Sequence, residues 1–284
     1  MTVLQALILG AIQGLTEFVP VSSTAHLFLA QALMGIRNDE TALSFDIVLH
    51  LGTAAALIAS TWREIGAMLM EAVRWARGEP AQDAAGRAML VPLVVGTVPG
   101  VLAGLFLLKR FEAMRSVGLI GASMLVAFAY FFFAEGVSDT RSGPDRGLAD
   151  LDARDGLWIG LAQAAAGLMA GFSRSGFTIA TGKLRRFSRP DAARFSFLLA
   201  LPIILGAGAK ALLDLRKAPG PTASAPLLLV GFAAAGVVGY LAIEVLIRFL
   251  KTHSLRPFGV YLGLLGLLLL AGTAFPGLLP FLPR

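Results

Sequence analysis

The sequence predicts an all-α integral membrane protein: six transmembrane helices plus two re-entrant helical hairpins in an inverted-topology repeat. Three observations predict it. Only 15% of the 284 residues are charged and 56% are hydrophobic, whereas a soluble domain carries roughly a quarter charged residues; the mean hydropathy is +0.76. A polar pattern also recurs inside apolar sequence. GAIQGLTEFVPVSSTAH (Gly10 to His26) matches GLAQAAAGLMAGFSRSG (Gly160 to Gly176) at a constant offset, pairing Gly10 with Gly160, Gln13 with Gln163 and Ser23 with Ser173. Without a gap, the same offset pairs SFDIVLHL (Ser44 to Leu51) with RFSFLLAL (Arg194 to Leu201). Finally, three spans follow the first copy, and an odd number turns the second unit upside down.

A spanning helix needs about 20 mostly apolar residues. Residues 2–35 are apolar but carry the polar stretch Glu17 to His26, too polar for a simple span facing lipid; two short helices meeting at a break fit it. Spans follow at Ser44–Trp62, Met89–Leu108 and Ser116–Ala134, closing a first repeat over 1–134. The stretch 135–156 is acidic and turn-rich and reads as a solvated connector. The second repeat, 157–284, opens on a second interrupted stretch, 157–182, with Ser173-Arg174-Ser175 at its centre. The spans Ala192–Leu213, Pro226–Ile247 and Pro257–Phe275 complete it.

The absence of cysteine excludes disulfides and thiolate metal sites. No basic n-region or small-residue cleavage site opens the chain, so no removable signal peptide is expected. The net charge of +6 points to topology rather than nucleic acid. The loops 63–88, 135–156, 181–191 and 248–256 share one face and hold fourteen Lys and Arg, against eight opposite. The positive-inside rule makes the richer face cytoplasmic, so the first hairpin enters from outside and the second from the cytoplasm. The run KLRRFSR (Lys183 to Arg189) reads as part of that signal.

The two breaks carry the chemistry. In the first, Pro20 stops a helix and Ser22, Ser23 and Thr24 suit the cap of the next. In the second, Gly171 allows a tight turn, Ser173 and Ser175 can cap, Gly176 permits close approach and Thr178 sits in the following turn. Helix starts favour phosphate, and Arg174 adds a planar cation whose donors match a phosphate group. Glu17 is a carboxylate in apolar sequence, with Gln13 one turn before it on the same face; it could bind a divalent metal, act as a base or neutralise Arg174. His26 lies three residues after Ser23 and could activate that hydroxyl or attack phosphorus itself. His50 reads as a helix–helix hydrogen bond, His253 as solvated, and Gln163 as packing.

At these residues the chain resembles the undecaprenyl-diphosphate phosphatases of bacterial inner membranes, the bacitracin-resistance family. LTEFVPVSSTAH resembles the family's first motif, with its glutamate on Glu17, serine on Ser23, threonine on Thr24 and histidine on His26. GFSRSGFT resembles the second, with serine on Ser173, arginine on Arg174 and threonine on Thr178. The resemblance implies six spans with two re-entrant hairpins, and removal of the terminal phosphate from a C55 polyprenyl diphosphate. It also implies dependence on a divalent cation (Mg²⁺ or Ca²⁺) and product release at the outer face. Gln13 stands where many members have a second glutamate, Ala170 where a proline is usual, and Leu262 where an arginine is frequent. The expected site is therefore Glu17, Ser23, His26 and Arg174 for catalysis, with Ser22, Thr24, Ser173, Arg174, Ser175, Gly176 and Thr178 on phosphate. Glu17 and Gln13 would hold the metal. The expected partners are a polyprenyl diphosphate and membrane lipid, with no nucleic acid; a homodimer stays open. The rival class is a lipid transporter using the same clamp without chemistry.

Overall fold

A computed structural model describes residues 1–36, 40–107, 116–217, 223–275 and 277–282, without side-chain surroundings at 40, 43, 212 and 214–217. Among these are eleven α-helices and one short 3₁₀ turn, Leu148–Asp150. In chain order the helices are α1 (Val3–Phe18), α2 (Ser23–Leu33), α3 (Glu40–Ser60), α4 (Trp62–Ala76), α5 (Ala84–Phe106) and α6 (Val117–Asp139). Then come α7 (Ala153–Leu168), α8 (Arg174–Leu184), α9 (Arg189–Lys217), α10 (Ala225–Leu250) and α11 (Arg256–Ala274).

The protein is a multi-pass membrane protein. Helices α5, α6, α9, α10 and α11 are each long and apolar enough to cross a bilayer. The expected span Ser44–Trp62 falls on α3, which runs into α4 across a 72° bend. Thr61 marks the bend: its hydroxyl donates to Leu57 O at 2.8 Å, so the last turn of α3 is satisfied locally.

Each hairpin packs chiefly on a helix far away in sequence. α1 lies along α10, and α7 lies along α5. Both pairings depend on backbone-to-backbone approach. A Cβ at Gly10 would sit 2.6 Å from Gly231 O, and one at Gly160 only 2.3 Å from Gly96 O. Behind Gly231 stands Leu49, and behind Gly96 stands Leu199. These are the leucines that the sequence offset pairs, so one three-layer stack is built twice.

The connector is mostly exposed, as expected of a solvated linker, and is also tied down by ion pairs and backbone hydrogen bonds. Arg146 pairs with Asp155 at 2.7 Å, and its backbone exchanges hydrogen bonds with Arg186 O and Ser188 N. The basic run folds onto the same region: Lys183 is buried and pairs with Asp145, and Arg185 pairs with Asp155 at 2.7 Å. Arg189 pairs with the fully buried Glu135. The run therefore fastens the connector to α8 and α9. His253 is exposed and stacks on Phe249, as a solvated residue would. Five of the eight cations counted on the opposite face (37, 109, 110, 115 and 284) lie outside the described residues.

Gly160→Ala should lower the unfolding temperature of the purified protein in detergent, by the roughly 1–3 kcal/mol typical of overpacking. Gly104→Ala, where an added Cβ meets nothing within 4 Å, should leave it unchanged. Equal melting of the two variants would refute the close-packed seam.

Candidate active site

α1 stops at Phe18, two residues before Pro20, which has no amide donor and disfavours helix just ahead of itself. The break between α7 and α8 is one residue longer than the break between α1 and α2. The first helices of the hairpins, starting at Val3 and Ala153, keep the gapless offset of the sequence. The second helices start at Ser23 and Arg174, one position beyond it. The offset is thus corrected inside the break. Ser22, not Ser23, is the structural counterpart of Ser173, and Ser23 corresponds to Arg174. Backbone geometry agrees: Ser22 (φ 72°) and Ser173 (φ 60°) both hold positive φ as the residue preceding the second helix. For a side chain with a Cβ this conformation costs on the order of 1–3 kcal/mol and marks functional sites.

The breaks touch. Ser22 does not cap α2; its hydroxyl accepts from the amide of Gly171 at 3.1 Å. Gly171 has φ +109°, and a Cβ there would lie 2.6 Å from Ile120 O, so only glycine turns the chain at this point. The first amides of α2 are left without a side-chain partner, as an anion site requires.

Glu17 is the hub. One carboxylate oxygen accepts from Arg174 Nη2. The other accepts from Ser23 Oγ at 2.6 Å and from Gln13 Nε2 at 3.1 Å. Glu17 and Gln13 are buried, and the Arg174 side chain is 17% exposed. His50 places Nε2 3.9 Å from Glu17, so it borders the site rather than only bonding between helices. Its Nδ1 is held by Asp46 O at 2.8 Å; Asp46 in turn accepts from Gln31 of α2.

The hydrogen bonds of His26 go to groups other than Ser23. Its Nδ1 lies 2.8 Å from Ser22 O, which can only accept, so Nδ1 carries the proton. In the neutral ring Nε2 then accepts from Tyr261 Oη at 2.6 Å, and the two rings stack. In this structure the Ser23 hydroxyl bonds to Glu17, and His26 bonds to Ser22 O and Tyr261. Tyr261 was missed because it lies on α11, at the far end of the chain; a hydroxyl inside an apolar span was its only signal. His50 was visible as an ionisable residue within a span.

Other expected phosphate ligands divide. Ser173 caps α8 through Gly176 N at 3.3 Å and lies 3.4 Å from the Ser175 hydroxyl. Gly176 is turned away: its amide is capped, and a Cβ would strike the Phe131 ring. Thr178 is buried and bonds to Arg174 O and the Ser196 hydroxyl, tying α8 to α9. Thr24 is half-buried beside Ser23 on α2. Gln163 is buried against α5, with no hydrogen-bond partner among the described residues. Leu262 is buried in the core.

In this structure Glu17 and Gln13 are held by hydrogen bonds, and Gln13 Oε1 is buried without a partner among the described residues. Donors surround both Glu17 oxygens, and Gln13 directs its amide nitrogen, not its oxygen, at the carboxylate. Among the described residues no three His, Asp or Glu form a metal-binding group.

Fold and site together define a polytopic α-helical membrane protein whose polar centre is built where two broken helical hairpins meet. The chain belongs to the family described as bacitracin resistance protein BacA, whose model matches residues 6–268. It is similar to proteins named undecaprenyl-diphosphatase. One from Thermomicrobium roseum is 38% identical, covering 97% of this chain and 99% of that protein. One from Rubrobacter xylanophilus is 41% identical, covering 91% and 93%. One from Gemmatimonas aurantiaca is 40% identical, covering 96% and 99%.

Arg174→Gln strands the buried Glu17 charge and should cost about 3 kcal/mol of stability. Glu17→Gln/Arg174→Gln should regain most of that loss. Simple additivity in detergent unfolding of the single and double variants would show that the pair does not stabilise the fold.

Proposed function

We propose that the chain hydrolyses undecaprenyl diphosphate to undecaprenyl phosphate and inorganic phosphate in a bacterial inner membrane, renewing the lipid carrier for cell-wall synthesis. The 2.6 Å hydrogen bond from Ser23 Oγ to Glu17 Oε2 carries this reading. A carrier of the same lipid would need the phosphate clamp but no hydroxyl poised on a carboxylate. Family membership supports the same substrate.

Ser23 Oγ attacks the terminal phosphorus while Glu17 accepts its proton. The bond between that phosphorus and the bridging oxygen breaks, and undecaprenyl phosphate leaves. Tyr261, hydrogen-bonded to His26, is the proton source for the leaving oxygen. Glu17 then returns its proton through solvent to the Tyr261–His26 pair, takes one from the water that attacks the phosphoserine, and passes it to Ser23 Oγ as phosphate leaves. Arg174 engages Glu17 through one nitrogen and keeps further donors for phosphate. With the amides at the starts of α2 and α8, it stabilises charge on the transferred group.

In this reading α1–α2 and α7–α8 are re-entrant hairpins. α3, α5, α6, α9, α10 and α11 are the six spans, and the halves 1–134 and 157–284 are inverted repeats joined by 135–156. The site opens to the outer face, and one chain supplies all of it. A divalent cation, Mg²⁺ or Ca²⁺, would supply positive charge against the diphosphate.

Phosphate release from a polyprenyl diphosphate by the detergent-purified protein tests the reading; no release at any Mg²⁺ or Ca²⁺ concentration would refute it. Arg174→Ala should lose at least about a hundredfold in rate, and Ser23→Ala should lose essentially all turnover. Tyr261→Phe should lower kcat by about tenfold, less than the roughly 10²–10⁴ expected for removing an acid–base group outright. Unchanged kcat would take Tyr261 out of the proton path.

A further inference from the structure

α4 is built inside out. Its polar side faces the protein: Glu71 is 2% exposed and accepts from the amides of Gln82 and Asp83 at 3.0 Å each, and from Arg87 Nε at 3.0 Å. Met68 beside it joins the main core. The outer face is apolar. Trp62, Leu69 and Val73 recur at helical spacing, with Met70 next to them, and all four are exposed, Leu69 by 64%. A helix in water would present the opposite arrangement.

Two further observations say what covers this face. α4 continues directly from α3 after the 72° bend at Thr61, so it turns from the direction of the span toward the membrane plane, where the lipid-facing surface runs on. Its edge is cationic. Arg63 lies 5.3 Å above the Trp62 ring, and Arg77 follows the last turn. Among the described residues neither is paired with a carboxylate, whereas Arg74 on the same helix pairs with Glu71 and Glu79. An apolar stripe carrying tryptophan and fringed by free arginines is the pattern of a helix lying in an anionic lipid interface.

We propose that α4 is a docking surface for anionic phospholipid, with its apolar stripe in the upper acyl region and Arg63 and Arg77 on headgroup phosphates. This inference is independent of the catalytic reading. It explains why the chain spends a buried carboxylate and two loop amides on holding a surface helix in place.

The test uses the full chain in nanodiscs, with Trp62 as the sole tryptophan after Trp75→Phe and Trp158→Phe. Phosphatidylcholine and phosphatidylglycerol brominated at the upper acyl carbons serve in turn as quenchers. Trp62 emission should be quenched by both lipids, with phosphatidylglycerol favoured about fivefold, and Arg63→Gln/Arg77→Gln should abolish the preference while leaving the quenching. Equal quenching by the two lipids would overturn headgroup selection. Quenching by aqueous acrylamide instead would place the helix in water. Protection from lipid and acrylamide alike would assign the face to a second copy of the chain. If the tryptophan replacements fail to fold, a spin label at Leu69→Cys reads the same depth, since the chain has no other cysteine.

Discussion

Two opposite charges in an apolar protein hold the site together. Removing a carboxylate and a guanidinium from water is costly, and the cost is recovered only when geometry satisfies both. Glu17 meets that condition by accepting from Arg174, Ser23 and Gln13 together. Each donor comes from a different stretch of chain: α1 itself, the start of α2, and the start of α8. The ion pair can form only if both hairpins break at the right depth and approach each other. The Gly171 turn and the Ser22 hydroxyl bring the breaks into contact, and the glycine seams along α10 and α5 bring the hairpins near enough. Packing, backbone strain and charge therefore serve one contact.

Much of this was readable in the amino acids alone. Apolar runs of span length, broken twice by polar residues, located α5, α6, α9, α10 and α11 and both interruptions. Glu17 and Arg174 stood out because charges in apolar sequence are rare and functional. Which side chains would meet was less accessible. Ser23 and His26 share a face of α2 by spacing, yet Ser23 turns to Glu17 and His26 to Tyr261. Local spacing cannot reveal that a better partner waits on the last helix of the chain. The bend at Thr61 was hidden for a related reason: no proline or glycine marks it, and the hydroxyl that closes the turn is common within helices. Gly176 and Thr178 belong to the motif, and the contacts they make with Ser173, Phe131 and Ser196 could not be read from it.

The repeat is instructive where it is imperfect. The second break holds one residue more than the first, so the position after the strained serine carries Ser23 in one hairpin and Arg174 in the other. That slip sets a hydroxyl opposite a cation, both aimed at one carboxylate. Two faithful copies would have presented like groups to each other, with no difference in charge to exploit.

The seam between α1 and α10 also bears on how the protein is made. α1 is complete at Phe18, but the helix it packs against begins only at Ala225. At about 5–20 residues per second of synthesis, the first hairpin waits on the order of ten to forty seconds for its partner. Arg174 is made during the same interval, so until then Glu17 is without its cationic partner. A protonated Glu17 or a hairpin held near the interface would carry the nascent chain through that wait. The fold is thus written at both ends of the gene, and the early half becomes a structure only when the late half closes over it.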